Sequence, residues 1–212
     1  MSTEAAMPKA APWVEAVGRV CYRFRRQFQL ALLLVCLMVA RPIPARKQEM
    51  ILLTCSILLV LVGGSLRSWA MGYHTWRRMK GDASRRRLVT AGPYAHTRNP
   101  LYLGSLLIGC GIAAMSGWLI ILLAFAVLFI VTHYCIIRWE EGRLDEEFLD
   151  AYRRYATEVP RLFPGLRSAR KRAGTFDFPT MIRCMEPVKT IGFIAALLLM
   201  DFLASRGWTL GA

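Results

Sequence analysis

Glu141 makes the largest demand on its surroundings. Within Arg138–Tyr155 the residues Leu144, Phe148, Tyr152 and Tyr155 fall on one stripe at helical spacing, and Glu141, three residues before Leu144, falls on that stripe too. A carboxylate on an otherwise buried face needs a partner, because unpaired burial costs several kcal/mol. Arg138, one turn back, is the nearest candidate, and the hydroxyls or ammonium of a bound ligand are the other. Glu140 points about 100° away around the helix and is not expected to share the role.

A second segment dense in special residues runs from Leu88 to Gly104. Gly92-Pro93 sets a turn, and Pro100 suits the first turn of a helix, where no intrahelical donor is lost. The loop therefore ends at a helix N-terminus, whose free amides and partial positive charge favour a carboxylate or other anion. The alternative is an ordinary capped span with a tyrosine anchor at the interface.

The elements that must position these residues are apolar. Of 212 residues 55% are hydrophobic, yet 28 Lys and Arg stand against 14 Asp and Glu. Such basic charge suits nucleic-acid phosphates or anionic lipid headgroups, and the block-like distribution of the apolar residues selects the membrane. Met50–Leu66 is an apolar run, and Asn99–Ile137 is an uncharged block interrupted at Ser116 and Gly117. A bilayer core takes about 20 helical residues to cross, so the second block reads as two spans joined by a tight turn. Phe28–Ala40 makes a further span if its helix begins earlier and Arg25 and Arg26 snorkel, and Thr190–Ala204 makes another, interrupted by Asp201. The expectation is a single all-α integral membrane domain over 1–212 with about five transmembrane helices. The first apolar block is kept as a span rather than a cleaved leader, because Arg41-Pro42-Ile43-Pro44 follows it without a small-x-small site.

Basic residues orient the spans. The segments before span one, between spans two and three, and between spans four and five hold 5, 7 and 10 Lys or Arg, and the opposite segments hold 3, none and 1. That bias of 22 against 4 puts the N-terminus, the 72–98 loop and the 138–187 segment in the cytoplasm. Arg167, Arg170, Lys171 and Arg172 either touch anionic lipid or form a solvated run. Six dispersed cysteines and three unclustered histidines indicate neither a disulfide framework nor a metal site, and His133 reads as a helix-packing residue.

Together the two segments resemble the family of membrane methyltransferases that includes isoprenylcysteine carboxyl methyltransferase and the phospholipid methyltransferases. The family pattern is G-x-Y, then R-H-P-x-Y-x-G entering a helical hairpin, then E-E-x-x-L, F-G, Y-x-x-Y and V-P-R-x-x-P. This chain matches with Gly92, Tyr94, Arg98, Pro100, Tyr102, Gly104, Glu140, Glu141, Leu144, Phe148, Tyr152, Tyr155, Val159, Pro160, Arg161 and Pro164. The match spans residues 86–164, which form the methyltransferase-like core. Asn99 stands where the family has histidine, which removes an acid/base role but keeps hydrogen bonding, and Leu149 stands where it has glycine.

The resemblance implies a cytoplasmic pocket for S-adenosylmethionine, formed by the loop before span three and the helix after span four and open to the bilayer for a lipophilic substrate. By the same resemblance Leu88, Val89, Tyr94, Asn99, Pro100, Leu101 and Tyr102 line the cofactor site, and Glu141 holds the cofactor by charge-assisted hydrogen bonding. Arg138 would orient an anionic headgroup or acceptor, so Arg138 and Glu141 are the candidate catalytic residues, with no metal and no nucleic acid. A small transporter is disfavoured because the uncharged blocks carry no acidic residue well inside a span. A noncatalytic scaffold remains the rival from another class, and a sterol-reductase-like activity is set aside for want of spans and of a G-x-G-x-x-G fingerprint.

Overall fold

The computed structural model describes residues 11–40, 46–73, 88–165 and 173–206. The tail through Ala10, the Arg41-Pro42-Ile43-Pro44 link, His74, and the basic run at Arg167, Arg170, Lys171 and Arg172 lie outside the described residues. Among the described residues the chain is helical and has no strand. The helices are α1 (Pro12–Val39), α2 (Arg46–Tyr73), α3 (Pro100–Met115), α4 (Leu119–Phe148), α5 (Asp150–Glu158), α6 (Phe178–Arg183) and α7 (Glu186–Ser205), with a 3-10 turn at Gly92–Ala95.

Among the described residues three helical stretches, Gln48–Tyr73, Leu119–Phe148 and Glu186–Ser205, are long and apolar enough to cross a membrane. The weakest span on sequence, around Thr190–Ala204, thus gains a turn from Glu186 and meets the requirement. Two of the five expected spans do not reach it on length and composition. α3 is apolar but has 16 residues, about 24 Å at 1.5 Å per residue. α1 begins well before Phe28, as expected, and carries Arg19, Arg23 and Arg25 in its first half.

The chain forms two compact units. One comprises Tyr22–Ser65, Gly104–Val131 and Pro187–Ala212. Its core gathers Cys36, Ala40, Val60, Ile108, Ile112, Met115, Leu197, Met200 and Ala204. With hydrocarbon around it, such a core has little hydrophobic drive and depends on close backbone approach at small residues. A methyl group built on Gly63 would sit 2.6 Å from the Gly104 carbonyl oxygen, and one on Gly111 would sit 2.8 Å from that of Ser56. The α3–α4 turn falls where the sequence placed it. Ser116 Oγ donates to the Ala113 carbonyl (2.7 Å) and accepts from Trp118 N (3.3 Å), while Gly117 takes φ +76°.

The other unit comprises Met1–Cys21, Leu66–Leu103 and Thr132–Glu186. Here the structure differs from the single amphipathic helix expected after span four. α4 stops at Phe148, Leu149 takes φ +46° and ψ −126°, and α5 restarts at Asp150. The stripe survives the break: Tyr152, Tyr155, Val159 and Ala95 form a buried cluster with Leu88, Leu144 and Phe148 packed against it. The backbone at 149 is a conformation that glycine adopts freely and a Cβ-bearing residue does not.

A testable consequence concerns stability. Leu149 is exposed, so its side chain contributes little burial. Leu149→Gly should release about 1–3 kcal/mol of backbone strain against about 0.5–1 kcal/mol for the freer unfolded glycine. A melt of the detergent-solubilised protein should show a midpoint a few degrees higher, and a midpoint several degrees lower would contradict this account of the break.

Candidate functional site

The site lies wholly within the second of these units. Its loop is held in shape by residues distant in sequence. Thr90 N and Ala91 N both donate to the Ala173 carbonyl (2.9 and 3.1 Å), and Ala173 N donates to Thr90 Oγ1 (2.9 Å). Gly92, at φ +63°, lies against the Tyr73 ring, which meets Phe176 edge to face at 5.7 Å. Further along, Arg98 N donates to the Pro160 carbonyl (2.9 Å), Thr97 Oγ1 to that of Leu162 (2.8 Å), and Gly165 N to that of His96 (3.1 Å). The R-N-P and V-P-R-x-x-P stretches are therefore laced together by backbone and short side chains.

Glu141 is buried, and its partners are arginines. Arg98 Nη1 donates to Oε1 at 2.8 Å, Arg161 Nε lies 2.9 Å from Oε1 and 3.1 Å from Oε2, and Arg138 Nη1 is 3.6 Å from Oε2. The expected Arg138 partner is present at the longest distance, and the two shorter contacts come from outside α4. Hydrogen bonding to Glu141 raises the Arg161 pKa above its ordinary value. Among the described residues three guanidinium groups face this one carboxylate, which gives the cluster itself an excess of positive charge. Arg98 is nine-tenths buried, and its Nε finds no hydrogen-bond partner among the described residues.

Glu140 is engaged separately, accepting from Tyr102 Oη at 2.9 Å, and the Tyr102 ring meets His133 edge to face at 5.1 Å. Asn99 uses its side-chain amide to donate to the Arg161 carbonyl (2.8 Å), so this side chain fixes the arginine segment. Tyr155 Oη donates to the Tyr94 carbonyl at 2.7 Å. Burial pushes the Tyr155 hydroxyl far above the ordinary phenol range, and burial together with the neighbouring Glu141 does the same for Tyr152, so both stay protonated.

The remaining cofactor candidates divide between two small cores. Leu88 packs on the Tyr152–Tyr155 cluster, whereas Val89 and Tyr94 join Ala70, with Tyr73 and Leu101 against them. Pro100 is fully buried at the start of α3. Arg98 and Arg161 stand in the motifs with no role readable from their type, and their spacing carries no sign of the pairing with Glu141. Arg67, which by sequence only marks a span end, holds Glu186 with its fork, with Nε 2.9 Å from Oε2 and Nη2 3.2 Å from Oε1. Among the described residues no group of three or more His, Cys, Asp or Glu is placed to hold a metal ion.

An all-helical chain with spans of membrane-crossing length and a carboxylate held by arginines from two laced motifs defines a membrane protein with a polar site. The family model for phospholipid methyltransferase matches residues 51–151, in agreement with the motif resemblance. The family points to a membrane methyltransferase. Two curated relatives are similar over just more than half of this chain. The cobalt-zinc-cadmium resistance protein CzcN of Cupriavidus metallidurans is 33% identical over 116 residues, covering 55% of this chain and 50% of that protein. The nickel-cobalt-cadmium resistance protein NccN of Alcaligenes xylosoxydans xylosoxydans is 30% identical over 115 residues, covering 54% and 51%. The match thus spans about half the length of these relatives. No solved structure gives a significant match.

Proposed function

We propose that the chain is an S-adenosylmethionine-dependent methyltransferase that acts on a lipophilic acceptor, such as a prenylcysteine-like carboxylate or a phospholipid amine, at the cytoplasmic face of a membrane. The observation that carries this reading is the clasp at Glu141, which joins the loop motif through Arg98 to the helix motif and to Arg161. The sidedness rests on the 22 to 4 distribution of basic residues.

The residues present fit the cofactor. S-adenosylmethionine, when bound, supplies a methyl group on a cationic sulfonium, and its other end carries a carboxylate. The positive surplus at Arg98, Arg138 and Arg161, together with the unpartnered Arg98 Nε, suits that carboxylate or an anionic acceptor. The same surplus repels a sulfonium, so the arginines orient the cofactor with its carboxylate towards them. Leu88, Val89, Tyr94, Asn99, Pro100, Leu101 and Tyr102 would line the remainder, and Glu141 keeps the guanidiniums aimed while offering lone pairs to a cofactor hydroxyl or ammonium. Methyl transfer is an in-line displacement in which the donor loses its charge, so these residues work by alignment and by excluding water. A carboxylate acceptor needs no general base.

Calorimetry on detergent-solubilised protein should give saturable heat with S-adenosylmethionine and with its demethylated product, and none with NADPH. Saturation with NADPH and no heat with either sulfur compound would overturn the proposal. The metal-resistance names of the two relatives favour a second reading, a noncatalytic membrane component serving resistance to divalent cations. Folded protein that binds none of the three compounds would support it.

A further inference from the structure

We infer that Arg67 and Glu186 form a positioning device for the cofactor segment, fixing the first turn of α3 from outside the two motifs. The role at the cofactor rests on the methyltransferase reading, whereas the effect on α3 does not.

Arg67 sits on α2 and Glu186 is the first residue of α7. The two side chains meet fork to fork, and Glu186 is 2% exposed. The third guanidinium nitrogen, Arg67 Nη1, donates to the carbonyl of Leu101 at 3.3 Å. Leu101 is the second residue of α3, in the turn where Tyr102 N and Leu103 N both donate to the Asn99 carbonyl. One planar group therefore ties the start of α7 to the turn that presents Asn99, Pro100, Leu101 and Tyr102.

The energetics favour positioning over stability as the reason for this pair. Removing two charges from water is costly, and a buried ion pair is often matched or exceeded in stability by apolar side chains of similar volume. What a bidentate arginine gives and an apolar pair does not is direction, because the fork admits one planar approach and leaves Nη1 aimed at the Leu101 carbonyl. Glu186 is also eased by its place at a helix N-terminus, where negative charge is favourable. Arg98 and Asn99 directly precede this turn, and they carry the contacts to Glu141 and to the Arg161 carbonyl. A shift of the turn would carry both away from their partners.

The test compares wild type, Arg67→Lys, and the double variant Arg67→Met with Glu186→Met, which leaves no buried charge unpaired. Two quantities are read alongside the melt: amide hydrogen exchange with no ligand added, and affinity for the demethylated cofactor product. The double variant should melt within a few degrees of wild type. Exchange in 98–103 should rise at least tenfold while exchange in 150–158 stays unchanged, and affinity should fall at least tenfold. Arg67→Lys, which keeps the charge and loses the fork, should fall between. A merely stabilising pair would move the melt and raise exchange in both segments together, and that result, or unchanged exchange in 98–103, overturns the inference. If the double variant does not fold, Arg67→Lys decides by the same contrast between the two segments. If wild type binds no cofactor product, the proposed function fails, and the exchange data alone judge the positioning of α3.

Discussion

Glu141→Gln is expected to lower affinity for S-adenosylmethionine by about 10- to 150-fold, the roughly 1.5–3 kcal/mol of a hydrogen bond to a charged group, while Glu140→Gln does much less. The two glutamates are neighbours with different surroundings. Glu141 is the counter-charge for Arg98 and Arg161, with Arg138 next in distance, whereas Glu140 accepts from the neutral Tyr102 hydroxyl. Without the carboxylate the guanidiniums repel one another in a buried setting, so Glu141→Gln should also lower the melting midpoint. Both variants keep side-chain shape, which makes charge the variable. Titration calorimetry on each, beside a thermal melt, reads the contrast. Equal losses of affinity would show that the two carboxylates act together. No loss in either would make the Glu141 clasp purely structural.

The second large effect is expected at Gly63. A Cβ there would lie 2.6 Å from a backbone oxygen that no rotamer change can move. Overpacking of a tight core costs about 1–3 kcal/mol for modest additions and more for larger ones, so Gly63→Leu should abolish recovery of folded, monodisperse protein. Gly142→Ala and Gly192→Ala are the controls. A methyl group at either meets nothing within 4 Å, and both positions are helical. Each should be neutral or stabilising by up to about 1 kcal/mol. Recovery of Gly63→Leu at wild-type yield and melting midpoint would refute close α2–α3 packing as a determinant of this unit.

The sequence was most legible where local chemistry decides structure. Pro100 opens α3, Ser116 and Gly117 turn the hairpin, and Glu141 falls on the buried stripe, each through rules that act over a few residues. Its limits lie where partners are distant. Arg161 is 20 residues from Glu141, Arg98 is 43, and Arg67 is 119 from Glu186, separations at which periodicity says nothing. Arg138 was the visible candidate because it lies on the same helix, and geometry gave the shorter contacts to residues brought in by the laced loops. Leu149 is the reverse case. The departure from glycine was visible, but the positive φ that gives it meaning depends on how α5 must turn to keep Tyr152 and Tyr155 buried.

The lacing of the loop also sets a schedule during synthesis. Thr90 is closed by Ala173, 83 residues further along the chain. At roughly 5–20 residues per second of translation, that separation is a wait of about 4–17 s. For most of that interval the loop is complete in its own residues, yet the Thr90 and Ala91 amides must be served by other partners, water among them. A chain arrested shortly before Ala173 would carry every motif residue through Pro164 and still leave Thr90 and Ala91 without their acceptor, so the moment of assembly is set by a residue outside both motifs.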